Sequence, residues 1–148
     1  MNIVVDTNII FSAILDPNGK ISDLLLDPVD HFTFFAPDFL LTELDRHHQK
    51  LISISKFSAE DITFLKKLVI SKLVLLDLET IDQDTWRKAI ELVERIDEFD
   101  APFVALSLKM NTYLWTGDKK LLRGLEIEGV NWIKSTDMML QIRDGRLQ

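Results

Sequence analysis

The stretch Ile3-Val4-Val5-Asp6-Thr7-Asn8 decides the fold, because an apolar strand runs directly into an acidic residue where a helix begins. A second stretch of the same kind, Tyr113-Leu114-Trp115-Thr116-Gly117-Asp118, lies towards the other end of the chain. In an open α/β sheet, ligands bind beyond the carboxyl ends of the strands. The two stretches therefore predict an acidic site at the carboxyl edge of a parallel sheet.

Strand and helix patterns alternate along the whole chain, which predicts an α/β fold. Parallel strands need long crossovers that helices supply, so we expect a mostly parallel five-stranded sheet between helices. The predicted strands are 3–5, 32–36, 73–78, 113–116 and 130–133. The predicted helices are 7–15, 21–26, one beginning at 37–38, one opened by a capping box at 58–61, 82–95, 101–109, 119–123 and 136–142. We assign residues 1–142 to one domain and 143–148 to a frayed or partner-bound tail.

Composition restricts the classes of protein to which the chain belongs. With 148 residues and 47% hydrophobic residues, it has enough material for one domain with a real core. The absence of cysteine excludes disulfides, zinc ribbons and thiol catalysis. No apolar run approaches the roughly 20 residues of a membrane helix, and no signal-peptide pattern begins the chain. We therefore expect a cytoplasmic protein without a membrane partner.

The charge balance argues against simple electrostatic attraction of nucleic acid. The formal net charge is −7, although bound divalent cations would neutralise part of it and attract phosphate locally. Basic residues cluster at 46–50, 66–67 and 119–123. We expect 66–67 to be a solvated helix face. Lys119, Lys120 and Arg123 follow Asp118 closely, so we predict that they contact phosphate.

Four acids stand at strand ends or near helix starts, namely Asp6, Glu43, Asp100 and Asp118. Taken singly, each aspartate is best explained as a helix N-cap, and Glu43 as a surface acid. The case for a site comes from their combination. Asp6 and Asp118 must lie close together if their strands are neighbours, and close carboxylates repel unless a cation compensates them. Ligands that are all oxygen suit Mg²⁺ or Mn²⁺.

The ordered motifs resemble those of a PIN-domain ribonuclease over nearly the whole chain. They are Val5-Asp6-Thr7-Asn8, Thr42-Glu43-Leu44, Asp100-Ala101-Pro102-Phe103-Val104-Ala105-Leu106 and Thr116-Gly117-Asp118. The resemblance implies that Asp6, Glu43, Asp100 and Asp118 are metal-binding and catalytic acids. It also implies a five-stranded parallel sheet between helices, in agreement with the strand count.

The same resemblance implies an activity and partners. The implied activity is endonucleolytic hydrolysis of RNA with Mg²⁺ or Mn²⁺, commonly in VapC-type toxins of toxin-antitoxin pairs. Such toxins are usually homodimers held inactive by an antitoxin. One alternative is a non-catalytic binding or scaffold module with the same fold. The other is a Mg-dependent phosphatase of the haloacid-dehalogenase type, which fits less well because Asn8 and Leu122 stand where that family has acids.

Several polar residues flank the acids. Thr7, Asn8 and Thr116 resemble groups that orient an acid or a metal-bound water, and for Thr7 helix capping explains the residue equally well. Asp97 lies one helical turn before Asp100. It either adds a metal ligand or solvates a loop, and we expect Asp100 to be the direct ligand.

Histidines and tryptophans offer weaker signals. His47 and His48 are adjacent, and adjacent helical residues diverge by about 100°, so we expect surface residues near RNA rather than a shared metal site. Trp86, Trp115 and Trp132 lie in periodic apolar segments, which favours core packing over base stacking.

Overall fold

Five strands form one parallel sheet in the order β3-β2-β1-β4-β5 in the computed structural model, which describes residues 1–26 and 32–145. The strands are β1 (Asn2–Val5), β2 (Thr33–Pro37), β3 (Leu73–Leu76), β4 (Tyr113–Trp115) and β5 (Ile133–Lys134). The helices are α1 (Thr7–Leu15), α2 (Lys20–Leu26), α3 (Leu40–Arg46), α4 (His48–Ile54), α5 (Ala59–Ile70), α6 (Gln83–Val93), α7 (Ala101–Met110), α8 (Lys119–Ile127) and α9 (Thr136–Arg143). Short 3-10 turns span Leu78–Thr80 and Glu98–Asp100. The predicted α/β architecture with five parallel strands is confirmed.

The two acid-bearing strands are neighbours at the centre of the sheet. In β1, Val5 stands opposite Trp115 of β4. The ladder continues past both strands, because the Asp6 N–H donates to the Trp115 carbonyl at 3.0 Å. The Thr116 N–H likewise donates to the Lys134 carbonyl at 3.0 Å. The strand ends therefore deliver Asp6 and Thr116 to one edge at the same level.

Helices cover both faces of the sheet, so the strands are apolar on both sides. Side chains alternate along a strand, and β1 shows the result. Ile3 and Val5 pack with Trp115 in one core, under α1, α2, α5 and α9. Val4 packs with Leu114 in the second core, under α6, α7 and α8. The acids at the sheet edge are thus set on a frame that is rigidly packed on both sides.

The tryptophans belong to these cores, as predicted. Trp115 is fully buried, while Trp86 and Trp132 are partly buried against the second core. In α6, Ile90 is 48% exposed, whereas its neighbour Ala89 is fully buried.

The end of the chain differs most from the predicted elements. The last strand is Ile133–Lys134, so the predicted strand 130–133 is wrong at its start. The Val130 N–H instead donates to the Leu125 carbonyl at 2.9 Å, and Gly129 takes a left-handed φ of 84°. This closure is the usual way in which a glycine ends a helix, and it draws Val130 into the end of α8.

Helix α8 is longer than the predicted segment 119–123, because it continues to Ile127. Gly124 stands in its interior, where a glycine usually lowers helix stability. Its lack of a side chain is used for packing, since a Cβ there would lie 2.4 Å from Ile96 Cδ1. Tertiary packing therefore overrides the local signal that seemed to end the helix.

The predicted strand 73–78 is also shortened. It ends at Leu76, and Asp77 caps the following 3-10 turn by accepting a hydrogen bond from the Glu79 N–H at 2.9 Å. The helix predicted from 37–38 begins only at Leu40 and gives way to α4 at His47. His47 has a non-helical ψ of 11°, so the two short helices meet at an angle set by this residue.

The expectation of a solvated face at 66–67 is wrong for Lys66, which is buried, and correct for Lys67, which is exposed. Lys66 Nζ donates to His48 Nδ1 at 3.1 Å and lies 3.6 Å from an Asp45 carboxylate oxygen. A buried ammonium group needs such partners. The contact fastens α5 to the junction of α3 and α4.

Arg143, the first residue assigned to the tail, is the last residue of α9 and donates to Asp23 Oδ2 at 3.0 Å. Residues 146–148 of that tail lie outside the described residues. Within residues 1–26 and 32–145, none of the helices has the length and apolar character needed to cross a membrane.

Candidate metal centre

A groove of about 880 Å³ opens at the carboxyl edge of the sheet. Its lining includes Asp6, Glu43, Asp97, Asp100 and Asp118. The acids come from separate segments: the ends of β1 and β4, the helix α3, and the turn between α6 and α7. The structure thus brings together all four acids predicted from the motifs, with Asp97 beside them.

Three of these acids form the tightest group. Oxygen atoms of Asp97, Asp100 and Asp118 all lie within 4.8 Å of one another. Asp6 and Glu43 line the same groove without belonging to this group of three. The motifs allowed Asp97 to be either a metal ligand or a loop acid. In the structure its carboxylate lies beside those of Asp100 and Asp118.

Asp100 is the acid least satisfied by the protein. Its Oδ2 atom is buried and has no hydrogen-bond partner in the described part of the chain. Although Asp100 occupies the N-cap position of α7, its side chain makes no capping bond. Burial, followed by the charges of Asp6, Asp118 and Asp97, raises the pKa of Asp100 to about 7.

Asp6 is held from the neighbouring strand. Thr116 is fully buried, and its hydroxyl donates to Asp6 Oδ2 at 2.7 Å. The Thr116 hydroxyl in turn accepts the Asp118 N–H at 3.1 Å. Burial raises the pKa of Asp6, and the Thr116 hydrogen bond opposes that rise. Thr116 thus couples the orientation of one acid to the main chain of another.

Glu43 is supported in a similar way by α1. The Thr7 hydroxyl donates to Glu43 Oε1 at 3.4 Å. Burial raises the pKa of Glu43, while this hydrogen bond and the charges of His47 and Arg46 lower it. Asn8 is exposed on the groove, and its backbone N–H faces Asp6.

Asp118 and Asp97 each use one oxygen to shape the backbone. Asp118 Oδ1 accepts the Lys120 N–H at 2.9 Å and the Leu121 N–H at 3.2 Å, which caps α8. Asp97 Oδ1 accepts the Phe99 N–H at 3.0 Å and caps the 3-10 turn. The capping explanation is therefore correct for Asp118, and Asp97 makes a cap that the sequence did not predict, in addition to their place on the groove.

The donor set fits a hard divalent cation. All candidate ligands are carboxylate oxygens, which Mg²⁺ and Mn²⁺ prefer. A buried oxygen without a partner is costly, and mutual repulsion adds to that cost in the cation-free protein. A cation bound among Asp97, Asp100 and Asp118 would relieve both.

Basic and apolar residues also line the groove. Arg46, His47 and Lys50 line it, and the His47 ring meets Phe11 edge to face with centroids 5.6 Å apart. His47 and His48 are both partly exposed, and His47 lines the groove.

The basic residues after Asp118 stand elsewhere. Lys119, Lys120 and Arg123 are exposed on α8 and do not line the groove. The sequence analysis missed the groove residue Phe99. An apolar ring between two acids, Glu98 and Asp100, was the available signal.

Comparison with known proteins agrees with the fold. The sequence matches the PIN domain family over residues 4–142. A crystal structure of VapBC2 from Rickettsia felis, bound to a DNA fragment from their promoter, contains a chain that superposes with a TM-score of 0.68. It is 19% identical and the match covers 91% of this chain and 98% of that one, so the likeness concerns the fold alone. No curated protein matches the sequence. Because the family match spans almost the whole chain and the sheet and acidic edge agree with it, this protein belongs to the PIN domain family.

Proposed function

We propose that this chain is a metal-dependent endoribonuclease that hydrolyses phosphodiester bonds of RNA. The observation that carries the proposal is the buried Oδ2 of Asp100, which has no hydrogen-bond partner among the described residues, in a residue that also belongs to the group of Asp97, Asp100 and Asp118 oxygens within 4.8 Å of one another. Membership of the PIN domain family supports a nuclease, and the resemblance of the motifs to PIN ribonucleases favours RNA over DNA.

The proposed ligands are Asp100, Asp118 and Asp97, with Asp6 and Glu43 available on the same groove. When bound, Mg²⁺ or Mn²⁺ would supply positive charge for the scissile phosphate and acidify a water molecule. This role explains why a protein of net charge −7 concentrates acids where a phosphate must bind.

The surrounding polar residues position these acids. Thr116 fixes Asp6 Oδ2, and Thr7 restrains Glu43 Oε1. Since both hydroxyls donate, they favour the charged form of each acid and direct its other oxygen towards the groove. In this proposal Asn8 orients the reacting groups from its exposed place on the groove. Lys119, Lys120 and Arg123 remain proposed contacts for phosphates that leave the groove over α8.

We also propose that the protein is a toxin of a toxin-antitoxin pair, acts in the cytoplasm and forms a homodimer. The motifs support this assignment through their resemblance to VapC-type toxins. The fold supports it through the likeness to a chain of the VapBC2 structure. The proposed antitoxin would bind across the groove and cover its acids.

The test is cleavage of a labelled structured RNA by purified protein with Mg²⁺, Mn²⁺ or a chelator. Asp6→Asn and Asp100→Asn preparations serve as site variants, and Asp84→Asn, an exposed acid on α6, is the matched control. A thermal unfolding curve with and without Mg²⁺ reports metal binding separately, because a ligand of the native state raises its melting temperature.

We expect cleavage that needs metal, disappears in both site variants and persists in Asp84→Asn. Cleavage that survives the chelator or Asp100→Asn would overturn the proposal. Mg²⁺-dependent stabilisation without cleavage of any RNA, including total cellular RNA, would favour the non-catalytic binding module. If DNA of the same sequence were cut equally well, the protein would be a general nuclease and not a ribonuclease.

A further inference from the structure

Phe99 is the most unusual apolar residue on the groove. It lines the groove beside the acids, yet it is 81% exposed. An exposed aromatic ring gains by covering its face, so an apolar residue in this position points to something that packs against it. The neighbouring Glu98 and Asp100 make an apolar ring more conspicuous here than on an ordinary surface.

The backbone that carries Phe99 is tied to the candidate metal centre. The Phe99 N–H donates to Asp97 Oδ1 at 3.0 Å, and the Asp100 N–H donates to the Asp97 carbonyl at 3.1 Å. One short turn, Glu98–Asp100, therefore holds the Phe99 backbone beside the oxygens of Asp97 and Asp100. The Phe99 side chain therefore lines the same groove as those oxygens.

The groove also carries basic residues that complement the charge of a nucleic acid strand. Arg46 and Lys50 line the groove, and neither forms an ion pair with an acid among residues 1–26 and 32–145. They stand one helical turn apart in sequence, at the end of α3 and within α4. A strand bound in the groove would thus meet two cations as well as the acids.

We propose that Phe99 stacks on a base of single-stranded RNA next to the scissile phosphate, while Arg46 and Lys50 contact a flanking phosphate. The inference rests on the proposed function and deepens it, because it names the side chains that would hold the RNA strand in the groove. A base in a duplex is already stacked on both faces, whereas an unpaired base offers its face to an aromatic ring. Since every base has such a face, the contact selects strandedness rather than sequence.

Charge favours a nucleotide over a protein side chain as the occupant of this ring. Phe99 adjoins the acids, so whatever covers it must tolerate the nearby metal and present a polar backbone to Arg46 and Lys50. A nucleotide satisfies both conditions with one base and its flanking phosphates. An apolar side chain from a protein partner could cover the Phe99 ring, but it would not contact Arg46 and Lys50 with negative charge. Binding of RNA by Phe99 variants distinguishes the nucleotide from such a protein partner.

The experiment compares Phe99→Ala and Phe99→Trp with a matched control. Phe64→Ala suits this purpose because Phe64 is 66% exposed on α5 and does not line the groove. The probe is a fluorescently labelled single-stranded oligoribonucleotide, together with a series in which one nucleotide at a time is abasic. Binding is measured with Ca²⁺ and cleavage with Mg²⁺.

We expect Phe99→Ala to weaken binding by about 5- to 150-fold, the usual effect of losing one base stack on an aromatic ring. Phe99→Trp should stay close to the wild type, and Phe64→Ala should not change. One abasic position near the cut should weaken the wild type by a similar factor and leave Phe99→Ala unaffected. Arg46→Ala with Lys50→Ala should lower the slope of log Kd against log salt by about 1.4, unlike Arg87→Ala with Lys88→Ala on α6.

The outcomes separate this inference from the proposed function. Cleavage and binding that are equal in wild type and Phe99→Ala overturn the stacking and leave the nuclease standing. Loss of binding in Phe99→Ala without Mg²⁺-dependent cutting by the wild type supports the stacking and removes the nuclease. An oligoribonucleotide that the wild type does not bind at all, or an abasic series without any sensitive position, overturns the inference in favour of a protein anchor.

Discussion

Asp118 and Asp100 occupy equivalent places, each directly before a helix, and the protein treats them differently. Asp118 caps α8 by accepting two backbone N–H groups through Oδ1. Asp100 makes no capping bond to α7 and keeps a buried oxygen without a partner. Asp118 therefore stabilises a helix and also lines the groove, whereas Asp100 has an oxygen available to bind a ligand.

The sequence around Asp100 explains part of this contrast. An N-cap side chain bonds to the second or third N–H of its helix, and Pro102, early in α7, has no N–H. Helix α7 therefore offers the Asp100 side chain fewer backbone N–H groups to accept than α8 offers Asp118. The comparison teaches that an acid at a helix start becomes a site candidate when the structure gives it no cap to make.

The largest expected effect tests whether Asp100 and Asp118 are both needed for RNA cleavage. We expect Asp100→Asn and Asp118→Asn each to lower kcat/KM for RNA more than about 100-fold, which exceeds the 10- to 100-fold cost of losing an outer-shell partner. Asparagine keeps the cap at 118, so the fold is spared there. A cleavage assay at saturating Mg²⁺ measures the loss. An Asp100→Asn protein within tenfold of the wild type would break the assignment of Asp100 as a ligand.

The next effect concerns the link between strand ends. Thr116→Val removes the donor to Asp6 Oδ2 without changing the shape of the side chain. We expect a 10- to 100-fold loss in apparent Mg²⁺ affinity or kcat, typical of an orienting partner. Thr116→Ser keeps the hydroxyl and is the control. Valine and serine variants with the same Mg²⁺ titration would show that the hydroxyl orients nothing.

A smaller effect should appear in the stability of metal-free protein. The folded-state pKa of Asp100 is about 7, against an ordinary value of 3.8, so between these values the folded state binds more protons than the unfolded chain. The free energy of unfolding should therefore fall as pH rises from about 4 to 7. Because Asp100 is only half-buried and solvent screens it, we expect about 1–2 kcal/mol in total.

Urea unfolding in EDTA at several pH values measures this effect. Asp100→Asn should flatten the dependence and stabilise the protein above pH 7, although the raised pKa values of Asp6 and Glu43 will leave a residual slope of the same sign. A metal-free wild type that becomes more stable as pH rises through this range would contradict the assignment.

The smallest expected effect is the contribution of helix capping by Asp118 and Asp100 to the free energy of unfolding. In EDTA, Asp118→Ala should destabilise the protein by about 1 kcal/mol relative to Asp118→Asn, because alanine cannot accept the N–H groups that open α8. Asp100→Ala and Asp100→Asn should differ less, since Asp100 makes no capping bond. Thermal or urea unfolding of the four variants checks the difference. Equal differences at both positions would remove the contrast between the two acids.

The class of fold was predictable from short-range sequence patterns. Alternation in Ile3, Val4 and Val5 and the helix periods around them set the class of fold, because strand and helix repeats are properties of short segments. The predicted end of α8 was wrong because distant packing intervened, since Ile96 packs against Gly124 within the helix. The predicted start of the last strand was wrong for a local reason, because Val130 belongs to the glycine closure that ends α8.

The sequence by itself determined that acids stand at strand ends and helix starts, because order along the chain and strand direction place them at one sheet edge. Only the tertiary structure decided how each acid is used. It joined Asp97 to Asp100 and Asp118, buried Lys66 against His48, and placed Arg46 on the same groove as the acids. Those relations depend on crossing angles and hydrogen bonds between distant segments, and no local pattern encodes which oxygen of an aspartate remains free.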